Sequence, residues 1–312
     1  MKIAIVGAGG VGGYFGARLA QTGESVTFIA RGAMLGALRE KGLRLESIDG
    51  DAHLPTVSAT DRPAEVGPVD AVLVCVKTWQ VPEVARGLAP LVGPDTVVVP
   101  LENGVEAPAE LAAVLGIEPV AGGVCHILSF VAAPGVIRHT GVKPTVQVGE
   151  LAGGTSPRVD RLVQALARAT GVTARASEDI RAAMWKKLVF IASVSGVGAV
   201  TRAPIGVVRA APEPRRLLEQ AMREVVAVAR GSGVHLGDEV VAETMAFVDG
   251  LPEGSTASLH RDILDGKRSE LEAQSGAVAR LGASLGVPTP AHAFITAALW
   301  PQELRARGRA RF

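Results

Sequence analysis

The first thirty residues contain two apolar segments separated by a glycine-rich segment. Residues 2–6 and 25–30 are mostly apolar, and six glycines fall within residues 7–16 between them. Short apolar runs bounded by turn residues are typical of buried strands. The segment between them, residues 11–21, is long enough to form a helix. The pattern therefore predicts a β-α-β unit at the start of the chain.

Buried strands continue to about residue 176. Residues 69–76 and 96–100 are apolar on both faces, as are parallel strands covered by helices. Together with the first unit they predict an α/β fold, a Rossmann-type doubly wound sheet, in a domain spanning residues 1–176.

Shorter segments are predicted to complete this domain. We expect short strands over 43–58 with a turn at Asp49-Gly50, one strand within 119–131, and an antiparallel pair formed by 135–140 and 145–149. A helix over 156–170 and a strand over 172–175 follow.

From Ser177 onward the pattern is helical, and residues 177–312 are predicted to form an all-α domain. Ser177 is predicted to cap the first of these helices. Ser269 and Glu272 match the S-x-x-E capping box, which predicts a helix start there with Glu270 in its first turn.

The glycine segment contains the spacing G-x-G-x-x-G at Gly7, Gly9 and Gly12. In a strand-to-helix turn, the first glycine permits the turn, the second lets the backbone approach a pyrophosphate, and the third lets helix pack on strand. We predict that these three residues and Gly10 bind a dinucleotide. A glycine-rich turn without a ligand is the competing interpretation.

The residues at the end of the second strand indicate which dinucleotide the chain binds. An NAD site usually carries an acidic residue there, whereas this chain has Ala30-Arg31-Gly32. A guanidinium suits a 2′-phosphate, so we predict NADP(H) as the cofactor, with a solvated loop arginine as the alternative. Lys77 and Asn103 follow two further strands and are predicted to reach the same crevice, although Asn103-Gly104 also suits a simple turn.

Composition narrows the choice of partners. Among 312 residues, 32 Lys and Arg balance 31 Asp and Glu, which argues against nucleic acid or an anionic membrane as a partner. The longest apolar run, residues 188–200, is shorter than the ~20 residues that span a bilayer. Two cysteines without a C-x-x-C pattern indicate a reduced, cytoplasmic setting, and no residue cluster predicts a metal site.

Two charged residues of the helical domain stand out. Lys187 falls on an apolar helical stripe, where it either extends to water or serves as a proton donor at a site. Glu270 is explained by the dipole of the helix predicted there, or by a functional role. Upstream, Ser258 offers a hydroxyl either to a helix end or to a ligand.

Taken together, these segments resemble the ketopantoate reductase family (2-dehydropantoate 2-reductase). The matching elements, in order along the chain, are Gly7 to Gly12, Arg31, Val76 to Gln80, Glu102 to Gly104, Arg181 to Leu188, and Ser258 with Ser269 to Leu271.

The resemblance implies reduction of 2-dehydropantoate to pantoate by NADPH, a step of pantothenate and coenzyme A synthesis. It implies Lys187 as general acid and Glu270 as the partner of the hydroxyl end of the substrate. It also places Ser258 and Ser195 at the substrate, and Arg31 with Lys77 at the adenosine phosphate. Asn103, also at the substrate, would help to align the nicotinamide with Lys187.

Three positions depart from the family pattern. Ile191, Ser195 and Ser275 stand where the family usually has asparagine. Loss of these amides favours a less polar 2-oxo acid as an alternative substrate. A non-catalytic NADP(H)-binding sensor is a further alternative, and a homodimer is left open.

Overall fold

The computed structural model describes residues 1–311, which form two compact units. Met1–Glu102 with Ala107–Ala183 form the first unit, and Asn103–Glu106 with the chain from Met184 onward form the second. The domain limits inferred from sequence, 1–176 and 177–312, stay a prediction. The short segment 103–106 belongs to the second unit, and no pattern in the sequence predicts this.

The first unit is built on a five-stranded parallel sheet with the strand order β5-β2-β1-β6-β7. The strands are β1 (Lys2–Val6), β2 (Ser25–Ile29), β5 (Ser58–Thr60), β6 (Val69–Val74) and β7 (Val92–Pro100). The chain builds β2 on one side of β1 and β6 on the other, so the topology switches between β1 and β6. The predicted doubly wound sheet is confirmed.

The sheet forms because its central strands are apolar on both faces. In β6, four consecutive residues from Ala71 to Val74 are fully buried, and in β1 the residues Ile3 to Val6 are at most 2% exposed. The helices of this unit are α1 (Gly10–Gln21), α2 (Gly32–Lys41), α3 (Val81–Ala85), α4 (Ala107–Leu115) and α5 (Pro157–Ala167).

Two smaller sheets complete the first unit, and they correct one prediction. One has the order β4-β3-β10-β9 and the other β12-β11-β8. Their strands are β3 (Leu43–Ser47), β4 (Ala52–Leu54), β8 (Ala121–His126), β9 (Ser129–Ala133), β10 (Val136–His139), β11 (Thr145–Glu150) and β12 (Thr173–Ala176).

The hairpin of β3 and β4 around Asp49-Gly50 is confirmed. The expected pairing of 135–140 with 145–149 is wrong, because β10 pairs with β9 and β3 while β11 pairs with β8 and β12. The single strand expected over 119–131 is two strands. Gly135 has φ 78° and supplies the turn that pairs β9 with β10.

The second unit is helical, and no strand occurs after Ala176 in the described chain up to residue 311. Its helices are α6 (Ile180–Thr201, which begins in the first unit), α7 (Ile205–Ala210), α8 (Pro212–Gly231), α9 (Val240–Asp249), α10 (Ser258–Leu264), α11 (Ser275–Leu285) and α12 (Pro290–Ala306).

Two predicted helix starts are wrong. Helix α6 begins at Ile180, and the Asp179 carboxylate accepts the Ala182 N–H at 2.9 Å, so Asp179 replaces Ser177 as the capping side chain. No helix begins at Ser269; residues 271–274 form a turn and α11 begins at Ser275. Glu270 therefore precedes the helix instead of lying in its first turn.

Helix α6 is long and apolar enough to pass a length and composition test for a membrane span, with mean hydropathy 1.3. However, 67% of its most apolar window is buried within the protein. An all-round apolar helix that is mostly covered by its own chain is typical of a core helix.

Candidate functional site

The glycine motif forms the turn between β1 and α1. Gly7 has φ 96°, a conformation that favours glycine. A Cβ on Gly12 would lie 2.1 Å from the Gly7 carbonyl oxygen, so the helix can approach the strand only without a side chain here. The turn lies at the carboxyl end of β1, beside the switch point where α/β sheets bind ligands.

Gly9 has open space around it, in contrast to its neighbours. Among residues 1–311, a Cβ there would meet nothing within 4 Å, and no side chain caps α1, whose N-cap residue is Gly9. The first N–H groups of a helix have no intrahelical acceptor and attract anions. The described residues thus fit a pyrophosphate.

Gly10 is explained by packing within the first unit. A Cβ there would lie 2.4 Å from the carbonyl oxygen of Ser129 at the start of β9. Its predicted contribution to cofactor binding stays a prediction, since close packing already requires glycine.

Arg31 lies at the carboxyl end of β2 and is the N-cap residue of α2. Its side chain is 67% exposed, and its guanidinium contacts the Glu83 carboxylate of α3 at 2.7 Å. No local pattern of residues indicates this pair. Exposed ion pairs contribute at most about 1 kcal/mol, so a dianionic phosphate can compete for the guanidinium.

Lys77 follows the end of β6, is exposed, and lies with its Nζ 5.9 Å from the ring centroid of Trp79. The preceding backbone is fixed by the Val76 N–H, which donates to the Glu102 carboxylate at 3.1 Å.

Burial, with the nearby Glu102 charge, raises the pKa of the Cys75 thiol well above its usual value. Cys75 therefore stays protonated at neutral pH and is a poor nucleophile.

Five predicted residues lie in the second unit: Asn103, Lys187, Ser195, Ser258 and Glu270. Lys187 is half-buried on α6, whereas its neighbour Lys186 is exposed. Within residues 1–311 the Lys187 ammonium has no hydrogen-bond acceptor or ion-pair partner. Its three N–H donors are therefore available to a ligand.

Glu270 is only 6% exposed, and the structure brings it together with Asn103. The Asn103 amide nitrogen donates to the Glu270 carboxylate at 3.2 Å. Gly104 has φ 123°, and a Cβ on it would lie 3.0 Å from the Ala273 carbonyl oxygen. The Asn103-Gly104 turn therefore packs directly against the turn that carries Glu270.

The residue before Glu270 is fixed by a buried carboxylate that sequence reasoning missed. Glu303 of α12 is 0% exposed and accepts both the Ser269 N–H at 3.0 Å and the Ser269 hydroxyl at 2.7 Å. Ser269 thus bonds to a residue far along the chain instead of opening a helix with Glu272.

Ser195 and Ser275 are both completely buried. The Ser195 hydroxyl contacts the Ile191 carbonyl oxygen and lies 2.7 Å from Oε1 of Gln274. The Ser275 hydroxyl contacts Nδ1 of His292 at 3.2 Å, so it belongs to an interior hydrogen-bond network. Gln274 was not predicted, although its spacing of four residues from Glu270 could have indicated it.

Ile191 and Ser258 are both half-buried. Ile191 lies on α6 one helical turn after Lys187, and Ser258 is the first residue of α10. No group of three or more His, Cys, Asp or Glu able to hold a metal occurs within residues 1–311. The expected absence of a metal stays a prediction.

Comparison with known proteins identifies the family of this chain. The model for ketopantoate reductase PanE/ApbA matches residues 3–153, and that for its C-terminal region matches residues 179–303. A 2-dehydropantoate 2-reductase of Mesorhizobium japonicum is 32% identical over 93% of this chain and 94% of its own. The chain belongs to the ketopantoate reductase family.

Two further proteins are similar to this chain over most of its length. The uncharacterized oxidoreductase YkpB of Bacillus subtilis is 30% identical over 86% of this chain and 88% of its own. The crystal structure of a 2-dehydropantoate 2-reductase from Geobacter metallireducens has TM-score 0.88 and 32% identity, covering 96% of this chain and 99% of that one. The resemblance inferred from sequence is confirmed: the protein is an oxidoreductase of this family, with a nicotinamide cofactor.

In this ketopantoate reductase family member, Gly9→Ala tests the dinucleotide site. Gly9 has φ −77°, which alanine adopts freely, so the fold should persist while the added methyl group fills the space left for a pyrophosphate. We expect the Kd for NADPH, measured by fluorescence titration, to rise about tenfold or more, a loss of at least about 1.4 kcal/mol. Gly36→Ala, also in open space, is the matched control and should bind normally. An unchanged Kd for Gly9→Ala would show that the pyrophosphate does not bind at this turn.

Proposed function

We propose that the protein uses NADPH to reduce the C2 ketone of 2-dehydropantoate to pantoate, in cytoplasmic pantothenate and coenzyme A synthesis. One observation carries the proposal. The helical unit holds a half-buried lysine with no acceptor among residues 1–311 and a buried carboxylate fixed by Asn103. Relatives named 2-dehydropantoate 2-reductase support the choice of substrate.

Lys187 is proposed as the general acid. When bound, NADPH would supply the hydride that reduces the ketone carbon, and negative charge would develop on the ketone oxygen. An ammonium beside that oxygen stabilises the charge and transfers a proton to it. Lys187 suits this role because none of its N–H groups is used by the described protein.

Glu270 is proposed to bind the hydroxyl end of the substrate. An ionised carboxylate accepts hydrogen bonds, so it can receive the hydroxyl hydrogen. Asn103 donates to this carboxylate and would hold it in place beside substrate and nicotinamide. Ser258 and Ser195 are proposed as the other polar residues of the substrate site.

Arg31 and Lys77 are proposed to bind the adenosine 2′-phosphate. They follow the carboxyl ends of β2 and β6, which flank β1 and the glycine turn in the parallel sheet. Gly7, Gly9, Gly10 and Gly12 are proposed to bind the pyrophosphate. Both cationic side chains are exposed, so a phosphate can reach them without a change in the core.

A second candidate substrate is a less polar 2-oxo acid. Ile191 favours it, because this apolar side chain is half-buried one turn from Lys187 on the same helix. An apolar group at that position cannot hydrogen-bond a substrate hydroxyl.

NADPH oxidation by the purified protein against a panel of 2-oxo acids tests the function. We expect the highest kcat/KM with 2-dehydropantoate, because Glu270 can bind its hydroxyl group. A higher value with an acid that lacks the hydroxyl would favour the second candidate. Tight NADPH binding without turnover of any acid would favour a non-catalytic sensor.

Lys187→Ala tests the proton donor. We expect kcat to fall at least about a hundredfold, the contribution of a general acid, while the Kd for NADPH stays within about threefold. Steady-state kinetics and NADPH titration measure the two quantities. Lys186→Ala is the matched control, since Lys186 is exposed, and its kcat should be unchanged. If Lys187→Ala retained most of its turnover, the proton would come from another group.

Arg31→Ala tests the choice of cofactor. Loss of a charge-assisted contact with the 2′-phosphate should raise the Kd for NADPH about tenfold to a hundredfold and change that for NADH little. The control is Arg216→Ala, because Arg216 is 69% exposed and likewise pairs with a glutamate. Equal losses for both nucleotides would contradict the 2′-phosphate assignment.

A further inference from the structure

Gln274 lies four residues after Glu270, at the end of the turn formed by residues 271–274. The N–H groups of Ala273 and Gln274 both donate to the Glu270 carbonyl oxygen, at 3.2 and 3.1 Å. These bonds close a helix-like turn, in which side chains four residues apart lie on the same side. Both side chains are buried, with Gln274 0% and Glu270 6% exposed.

Among the described residues, only the oxygen end of the Gln274 amide has a hydrogen-bond partner. Its Oε1 lies 2.7 Å from the Ser195 hydroxyl, whereas its Nε2 is buried without an acceptor anywhere in residues 1–311. A buried amide nitrogen without a partner destabilises the folded state and calls for an explanation. The Ser195 hydroxyl has a single hydrogen and lies within reach of both the Ile191 carbonyl oxygen and Oε1 of Gln274. When it donates to Oε1, it holds that end of the amide and leaves Nε2 as the end without an acceptor.

The unused amide nitrogen complements the role proposed for Glu270. A hydroxyl group can donate one hydrogen bond and accept two, whereas an ionised carboxylate can only accept. A hydroxyl that donates to Glu270 therefore still needs a donor for its oxygen. Gln274 offers that donor on the same face of the same turn.

We propose that Gln274 is a specificity-determining residue, whose free amide end hydrogen-bonds the hydroxyl group of the 2-oxo acid that Glu270 also binds. This inference rests on the proposed function and narrows its substrate class to hydroxylated 2-oxo acids. Ser195, placed above at the substrate site, then contributes to it by holding the amide of Gln274, because its hydroxyl already contacts Oε1 of Gln274 and the Ile191 carbonyl oxygen.

Two substrates that differ by one hydroxyl group separate this role from a structural one. They are 2-dehydropantoate and 3,3-dimethyl-2-oxobutanoate, the same acid without the hydroxyl. With Gln274→Met, which keeps the length of the side chain, we expect kcat/KM for 2-dehydropantoate to fall about tenfold or more. The value for 3,3-dimethyl-2-oxobutanoate should stay within about threefold, because that acid never uses the amide.

Gln302→Met is the matched control, because Gln302 is exposed on α12. Its kcat/KM for each of the two acids should equal that of the unmodified protein. The thermal midpoint of each ligand-free variant shows whether it is folded. If Gln274→Met does not fold, Gln274→Asn, which shortens the amide by one methylene, replaces it with the same expected drop for 2-dehydropantoate alone.

Three outcomes would overturn the inference. Equal losses for both acids would make Gln274 a structural residue, and unchanged values would show that it does not contact the hydroxyl; either result leaves the proposed function standing. If the unmodified protein reduced neither acid, the proposed function would be overturned, and so would the contact of Gln274 with the substrate hydroxyl.

Discussion

The approach of helix α1 to strand β1 is the constraint on which the first unit depends. The 2.1 Å between the Gly7 carbonyl oxygen and the position of a Cβ on Gly12 leaves no room for a side chain. This approach brings the first N–H groups of α1 to the carboxyl end of β1. Because the sheet is parallel, the ends of β2 and β6, with Arg31 and Lys77, lie at the same edge. The candidate nucleotide site therefore depends on backbone packing.

The second unit depends instead on buried carboxylates that receive hydrogen bonds from turns and helix ends. Glu224 accepts the N–H groups of Ala291 and His292 at 2.9 and 3.0 Å, at the start of α12. Glu303 holds Ser269, and Glu270 receives the amide of Asn103. A buried charge is tolerated only when it is paired or hydrogen-bonded, so each carboxylate fixes the segment that supplies its donors. The turn that carries Glu270 is thereby held on both sides, as a binding residue requires.

The sequence predicted those features that depend on neighbouring residues. Glycine spacing and apolar runs were enough to predict the β-α-β unit. The positions of Lys187 and Glu270 on the predicted helices made them stand out, and the family resemblance added their roles. The errors arose where a distant residue decides the local structure. Ser269 matched a capping box, yet its partner is Glu303, 34 positions away. The Arg31 contact with Glu83 joins residues 52 positions apart, which no local pattern reveals.

The departures at Ile191 and Ser195 show why the polar groups of a site must be counted over all its elements. Considered along α6 alone, the loss of two amides favours a less polar substrate. The turn before α11, however, supplies an amide from Gln274, and Ser195 is the residue that holds it. An apolar side chain of equal size at position 274 would avoid the cost of a buried N–H group that has no acceptor in the described part of the chain. Natural proteins carry such local costs mainly where function needs the group, so the presence of this glutamine four residues after Glu270 favours a ligand that completes its hydrogen bonds.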